Sequence, residues 1–268
     1  MARSGSEIFA LIDRPGRIWA VAAAHGDARR LRAVHDALAA RIAPGDRVVY
    51  LGNFIGRGDA VIQTIDELLD FRLHFLAQPG VEPWDIVHLR GQQEEMWAKL
   101  QQLHFAPNPL EVLDWMMGQG VDATLAAYGG NSDAARVRCR EGAVALTRWT
   151  GELRERVRAH PGHDELFTSL RRYATTEDGA LVFVAAGLDP DRPLSEQGDA
   201  FWWGGSHFER IAGPVGPIRR VIRGFDRLRQ GLVQTEWRVS LDKGCGAGGT
   251  LTAGCFLPDG TLADLVEG

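Results

Sequence analysis

The sequence predicts a layered α/β fold. Three observations carry the prediction. Apolar runs of strand length recur along the chain, the first three each precede a helix-forming stretch, and a polar turn bearing glycine separates run from helix.

The elements follow in order. Arg17–Asp27 (RIWAVAAAHGD) reads as a buried strand, a small-residue turn and Asp27 as a helix cap. The helix from Ala28 to about Ile42 gathers Leu31, Val34 and Leu38 on one face. Pro44-Gly45-Asp46 turn the chain into a second strand, Arg47–Leu51. The loop Gly52–Gly58 then leads to a helix carrying Val61, Ile62, Ile65, Leu68 and Leu69 on one side. A third run, Ile86–Leu89, passes through Arg90–Glu95 into another helix. From about residue 95 to 176 the pattern is helical and reads as an insertion within a single domain of residues 1–268, behind an N-terminal tail of residues 1–15. Strand signal returns at Leu181–Val184, Arg220–Ile222, Val239–Leu241 and Thr252–Phe256. The glycine-rich stretch Gly244–Gly249 has no following helix and no Lys-Ser/Thr pair, so it reads as a hairpin turn and not a nucleotide loop.

Composition narrows the function classes. At 268 residues with 45% hydrophobic and 24% charged residues, the chain can bury a sizeable core without staples. A net charge of −5 supplies no overall attraction to nucleic acid or anionic membrane. Cys139, Cys245 and Cys255 form no CxxC pair, which argues against structural zinc or a disulfide framework. Cys245 reads as a small buried hydrophobe. The first residues (MARSGSEIFALIDRPG) lack the apolar stretch of a signal peptide, and no apolar run is long enough to span a bilayer. A cytoplasmic protein with no nucleic-acid partner and no membrane insertion is expected. The basic residues are arginines apart from Lys99 and Lys243, from genomic bias or from a need for guanidinium forks.

In open α/β sheets ligands gather at loops beyond the carboxyl ends of strands. Here those are Ala22–Asp27, Gly52–Asp59, Arg90–Glu95, Ala185–Asp191 and Arg223–Asp226. They read AAAHG at 22–26, GNFIGRG at 52–58, GQQE at 91–94, AAGL at 185–188 and RGFD at 223–226. In that order, over residues 15–260, they resemble the signatures GDxHG, GDxxDRG, GNHE, HAG and GHT of calcineurin-like metallophosphoesterases, in particular bacterial serine/threonine phosphoprotein phosphatases. The resemblance implies a four-layer sandwich, two mixed β-sheets flanked by helices. It also implies, for active relatives, two divalent metals that activate a water and clamp phosphoryl oxygens.

The departures from those signatures fall on the metal-holding positions. Ala23 and Asn53 stand for aspartates, Gln92 for the asparagine, Gln93 for the general-acid histidine, and Ala185 and Phe225 for histidines. Arg223 likewise stands at an expected histidine, and His25 alone survives from the metal-binding set. One imidazole beside amides cannot hold two cations, so no metal cofactor and no catalytic residue are expected. Arginines suited to phosphate remain. Arg57, Arg90, Arg223 and His25 are the candidates for an anion site, since guanidinium forks match phosphate oxygens.

Plainer roles stand beside each. His25 can simply pack in its turn, Arg57 or Arg90 can pair with Asp59 or Glu94, and Arg223 can pair with Asp226. Glu94 and Glu95 can open a helix, Trp202 and Trp203 can be core or a wall over the pocket, and the arginines from Arg136 to Arg172 can form a solvated face. The expected function is a catalytically degenerate phosphatase-like protein that binds a phosphorylated ligand or a protein partner in a regulatory role. One alternative is an active phosphohydrolase with a site rebuilt from His25, Asp27, Glu94, Glu95 or Asp226. The other is a structural subunit of a larger assembly.

Overall fold

In the computed structural model, which describes residues 8–268, the strands form one six-stranded and one five-stranded sheet. In chain order they are β1 (Phe9–Ile12), β2 (Ile18–Val21), β3 (Arg47–Tyr50), β4 (Ile86–His88), β5 (Tyr173–Thr176) and β6 (Leu181–Val184). They continue with β7 (Arg220–Arg223), β8 (Val233–Gln234), β9 (Arg238–Ser240), β10 (Thr252–Phe256) and β11 (Leu262–Glu267). The six-stranded sheet runs β1-β5-β6-β7-β9-β8 and the five-stranded sheet β11-β10-β2-β3-β4. Both are mixed: β2, β3 and β4 are parallel while β10 joins β2 antiparallel, and β6, β7 and β9 are parallel while β5 runs against β6 and β8 against β9.

Each sheet has helices on its outer side, which makes the α/β four-layer sandwich expected from the resemblance. Alternate residues of β6 show why. Leu181 and Phe183 face the other sheet, with Phe183 edge-on to Phe256 of β10, while Val182 and Val184 pack with Phe201 and Phe208. The last two lie on the short helices α9 (Ala200–Trp203) and α10 (Gly205–Glu209). A strand buried on both faces reads as a continuous apolar run, which is what Leu181–Val184 is.

On the five-stranded sheet, α1 (Ala28–Ala39) packs beside α2 (Val61–Leu76). Asp27 caps α1 by accepting from the Arg30 N–H at 3.0 Å, and Leu31, Val34 and Leu38 are buried as the periodicity requires. His35 is buried with them. Its Nδ1 lies 2.8 Å from Glu67 of α2, and its Nε2 lies 2.7 Å from the Tyr50 hydroxyl of β3. Burial lowers the His35 pKa, so the ring is best read as neutral, donating to Glu67 and accepting from Tyr50.

The helical stretch holds α3 (Gln92–Leu100), α4 (Pro109–Gly118), α5 (Val121–Ala127), α6 (Ser132–Glu141), α7 (Ala143–Arg158) and α8 (His163–Ser169). Leu113, Leu125, Leu146, Leu153 and Leu166 from it belong to the same apolar cluster as the inter-sheet residues. No helix among the described residues is long and apolar enough to cross a membrane.

Four strands differ from expectation. Residues 1–7 of the expected tail lie outside the described residues, and Phe9–Ile12 of that tail pairs in parallel with β5 as β1. The helical segment ends at Ser169 and not near residue 176, because Tyr173–Thr176 forms β5, buried between β1 and β6. β8 has two residues, and β11 is an edge strand interrupted by a bulge opposite Cys255 and Phe256, so neither shows a clear apolar run. Gly244–Gly249 is not a hairpin between adjacent strands: β9 and β10 belong to different sheets, and the stretch carries the chain from one to the other. Only a local bridge between Lys243 and Thr250 gives it hairpin character.

Asp46 fastens the turn between α1 and β3. Its buried carboxylate accepts from Arg17 at 2.6 and 3.1 Å, from the Trp19 indole at 3.2 Å and from the Ala43 N–H at 3.0 Å. Asp46→Ala would strand these donors, and a loss of about 2–4 kcal/mol in unfolding free energy is expected in urea titration.

Candidate functional site

The loops after β2, β3, β4, β6 and β7 converge at one end of the sandwich. Backbone hydrogen bonds knit them together: Ala23 N–H donates to Gly224 at 3.1 Å, His25 N–H to Asn53 at 2.8 Å, and Gly26 N–H to Phe54 at 2.6 Å. The loops are therefore positioned by their own main chains.

Glu94 organises the second and third loops. Its carboxylate accepts the N–H groups of Asn53, Phe54 and Gly91 at 2.8 Å each and of Ile55 at 3.3 Å. Burial pushes its pKa up while these N–H groups pull it back. The loop passes so close to the third one that a Cβ on Gly91 would sit 2.4 Å from the Asn53 nitrogen, which only glycine avoids. Asn53 and Arg57 both take left-handed backbone, with φ of 56° and 62°. Asn53 Oδ1 accepts from the Gln93 N–H at 3.0 Å, and its buried Nδ2 has no partner. The Gln93 side chain donates to the Gln119 carbonyl at 2.8 Å, and Gln92 lines an open cleft.

Where the resemblance would place the metals of active relatives lies an apolar contact. Ala23, Ala186 and Phe225 pack together, and Phe225 meets the His25 ring edge-on at 5.4 Å. Ala185 is wholly buried, and its carbonyl accepts from the Gly224 and Phe225 N–H groups at 3.2 and 2.9 Å. His25 is buried with neither ring nitrogen hydrogen-bonded. Burial first, then the charge of Arg57, lowers its pKa to about 3, with the Ile55 backbone weakly opposing. The donors here are one neutral imidazole and two side-chain amides, against an alanine and phenylalanine face. That set does not fit a pair of divalent cations, which need several carboxylate or imidazole donors. Among the described residues no group of three or more His, Cys, Asp or Glu side chains is arranged to hold a metal.

The four anion-site candidates separate. Arg223 is fully buried and committed. Its guanidinium reaches Glu209 at 3.0 Å, Asp226 at 3.1 Å and the Ser240 hydroxyl at 3.0 Å, and it lies over the Phe208 ring. Those partners occupy the guanidinium, and the pair with Asp226 is the plainer role the sequence also offered. Arg90 pairs with Glu95 at 3.0 Å, not with Glu94. His25 carries no positive charge to offer an anion near neutral pH. Arg57 remains. It makes no ion pair among the described residues, and its guanidinium lies 5.5 Å from the Phe225 ring centre. Burial and then Arg229 lower its pKa, with Asp242 opposing and Arg227 adding to the effect.

Sequence reasoning missed Arg227 and Arg229, which follow the last signature at alternate positions and likewise make no ion pair among the described residues. That spacing beside Asp226 was the available signal. Trp202 and Trp203 form a wall of a cleft of about 250 Å³ that also includes Gln92, Phe225 and Arg227.

No family model matches the sequence, and no curated protein does. The fold does have matches among solved structures, phosphatases among them. One described as a diadenosine tetraphosphatase aligns over 97% of this chain and 98% of its own, with 18% identity and a TM-score of 0.54. A serine/threonine phosphatase from Saccharomyces cerevisiae aligns over 99% of this chain and 84% of its own, with 12% identity and a TM-score of 0.53. A cold-active protein tyrosine phosphatase aligns over 98% and 81%, with 10% identity and a TM-score of 0.54. The fold is thus that of phosphatases as a class. More particularly, the chain has the calcineurin-like metallophosphoesterase fold.

Two outcomes follow from the buried groups. Glu94→Ala is expected to cost about 3–5 kcal/mol in urea unfolding, and Glu94→Gln less, because four buried N–H groups lose a charged acceptor. In the unfolded chain His25 protonates near pH 6.5, as an ordinary histidine does, roughly. In the fold it stays neutral down to about 3, so its share of stability is complete above the unfolded value and is lost as pH falls toward the folded one. His25→Asn, which tolerates left-handed backbone, should shrink the acid slope of unfolding free energy by about 1.4 kcal/mol per pH unit between about pH 6 and 4. His88, also held neutral to about 3 by burial, keeps its own share of the slope.

Proposed function

We propose that the chain is a phosphatase-like binding protein that holds a phosphorylated or otherwise anionic group at Arg57 without hydrolysing it, in a regulatory role. The observation that carries the reading is the Arg57 guanidinium, partly buried, without an ion-pair partner among the described residues and set near Arg227 and Arg229. Cations held together at a loop end, without an ion pair of their own, favour an anion that bridges them. The alanine and phenylalanine contact beside them offers no ligand for a water-activating metal.

The alternative of a rebuilt hydrolase draws on carboxylates that are already engaged. Asp27 caps α1 and pairs with Arg30, Glu94 holds backbone N–H groups, Glu95 pairs with Arg90 and Lys99, and Asp226 pairs with Arg223. A protein partner would find exposed apolar side chains on the helical segment at Phe105, Trp115, Val137 and Val144.

Titration calorimetry with inorganic phosphate tests the reading. Binding in the millimolar range or tighter is expected, weakened about tenfold or more in Arg57→Gln, as for loss of a charge-assisted contact. In parallel, p-nitrophenyl phosphate with added manganese should show no turnover above a boiled control. Absence of phosphate binding by folded protein overturns the anion site. Stoichiometric metal with turnover, both lost in His25→Ala, makes the protein a hydrolase instead.

A further inference from the structure

The cleft beside the arginines has aromatic walls that an inorganic anion would leave unused. Trp202, Trp203 and Phe225 line it, together with Gln92, Ser206 and Arg227. Several of its polar groups are unspent. The Trp202 indole N–H is buried without an acceptor. Among the described residues the side chains of Gln92, Ser206 and Arg227 make no hydrogen bond or ion pair.

The two carboxylates that also line the cleft do not oppose an anion strongly. Glu209 is held by Arg223 at 3.0 Å and Arg238 at 3.2 Å. Asp226 is held by Arg223 at 3.1 Å and by the Leu228 and Gln230 N–H groups at 3.0 and 3.1 Å. The balance of charge at the mouth is therefore set by Arg227, with Arg57 across the Phe225 ring.

Volume selects the size of the guest. A cavity of about 150 Å³ holds a single benzene ring. The cleft, at about 250 Å³, has room for one ring and one phosphate. We infer that the cleft takes an aryl phosphate monoester, its single ring against the Trp202, Trp203 and Phe225 walls and its phosphate at Arg227 and Arg57. The assignment rests on the anion-binding reading above and specifies its ligand. Ring stacking on indole and phenyl faces, added to guanidinium-phosphate contact, distinguishes this guest from inorganic phosphate and from an alkyl ester.

Calorimetry on the full chain with phenyl phosphate, inorganic phosphate and adenosine monophosphate tests the inference, using the wild type, Trp203→Leu and Arg227→Gln. Phenyl phosphate is expected to bind about tenfold or more tightly than inorganic phosphate. Trp203→Leu should erase that difference while leaving inorganic phosphate within about threefold, and Arg227→Gln should weaken both. Equal affinity for the two phosphates in the wild type overturns the aryl assignment while the anion site stands. An undiminished difference in Trp203→Leu, whose fold is checked by circular dichroism, overturns the placement of the ring. Tighter binding of the nucleotide than of phenyl phosphate overturns the single-ring limit. Absence of binding by any of the three removes the anion site itself and the inference with it. A phosphotyrosyl peptide that binds as tightly as phenyl phosphate supports the inference with a protein as source of the ring, and its failure beside bound phenyl phosphate supports a small-molecule source.

Discussion

The carboxylate of Glu94 is the constraint on which the site end of this molecule depends. It draws N–H groups from two loops onto one buried charge, and with them the chain between Gly52 and Gly58 takes its course. A carboxylate out of water is costly unless its lone pairs are filled, and here main-chain donors fill them. The glycines at the crossing follow from this closeness: a Cβ on Gly52 would come within 2.5 Å of the Gly91 nitrogen. The left-handed backbone at Asn53 and Arg57 belongs to the same tightly turned loop, and it is what presents the Arg57 side chain beside Phe225.

Around that frame, charge and apolar surface divide the space where the loops converge. Arg223 occupies the interior as a buried cation, balanced by Glu209 and Asp226 and stacked on Phe208. Breaking such a pair would leave a charge without solvent or partner, so the network is as much a structural requirement as a lost histidine. On the other side, Phe225 closes over Ala23 and Ala186. What remains accessible is a cleft with aromatic walls and Arg227 in its lining.

The helical segment is tied directly to this end of the molecule. The turn between α4 and α5 accepts the Arg57 N–H at Gly120 and the Gln93 amide at Gln119, and Thr124 of α5 accepts the Gly56 N–H at 3.0 Å. Trp115 of α4 touches Trp203 at the wall of the cleft, their ring centres 5.6 Å apart. Movement of these helices would disturb Arg57 and the cleft together.

Much of the fold was legible because burial leaves a local mark. Strands covered on both faces, such as Leu181–Val184, appear as apolar runs, and Asp27 with Leu31, Val34 and Leu38 marks a capped amphipathic helix. The order of glycine-bearing loops likewise picked out the end where they converge, and the resemblance marked positions 23, 53, 185 and 225 as departures from its signatures. β1, β5 and β11 were not legible: a short strand owes its state to its neighbours in the sheet, and pairing between distant segments leaves no periodicity in either. The fate of each arginine was equally hidden. Arg57, Arg90 and Arg223 are the same residue type in similar loops, yet Arg223 is neutralised by Glu209 and Asp226, Arg90 by Glu95, and Arg57 by no carboxylate among the described residues. Sequence by itself determined the layers and the kinds of groups at their ends; only tertiary structure decided which charges meet, because an ion pair depends on a few ångströms between loops far apart in the chain.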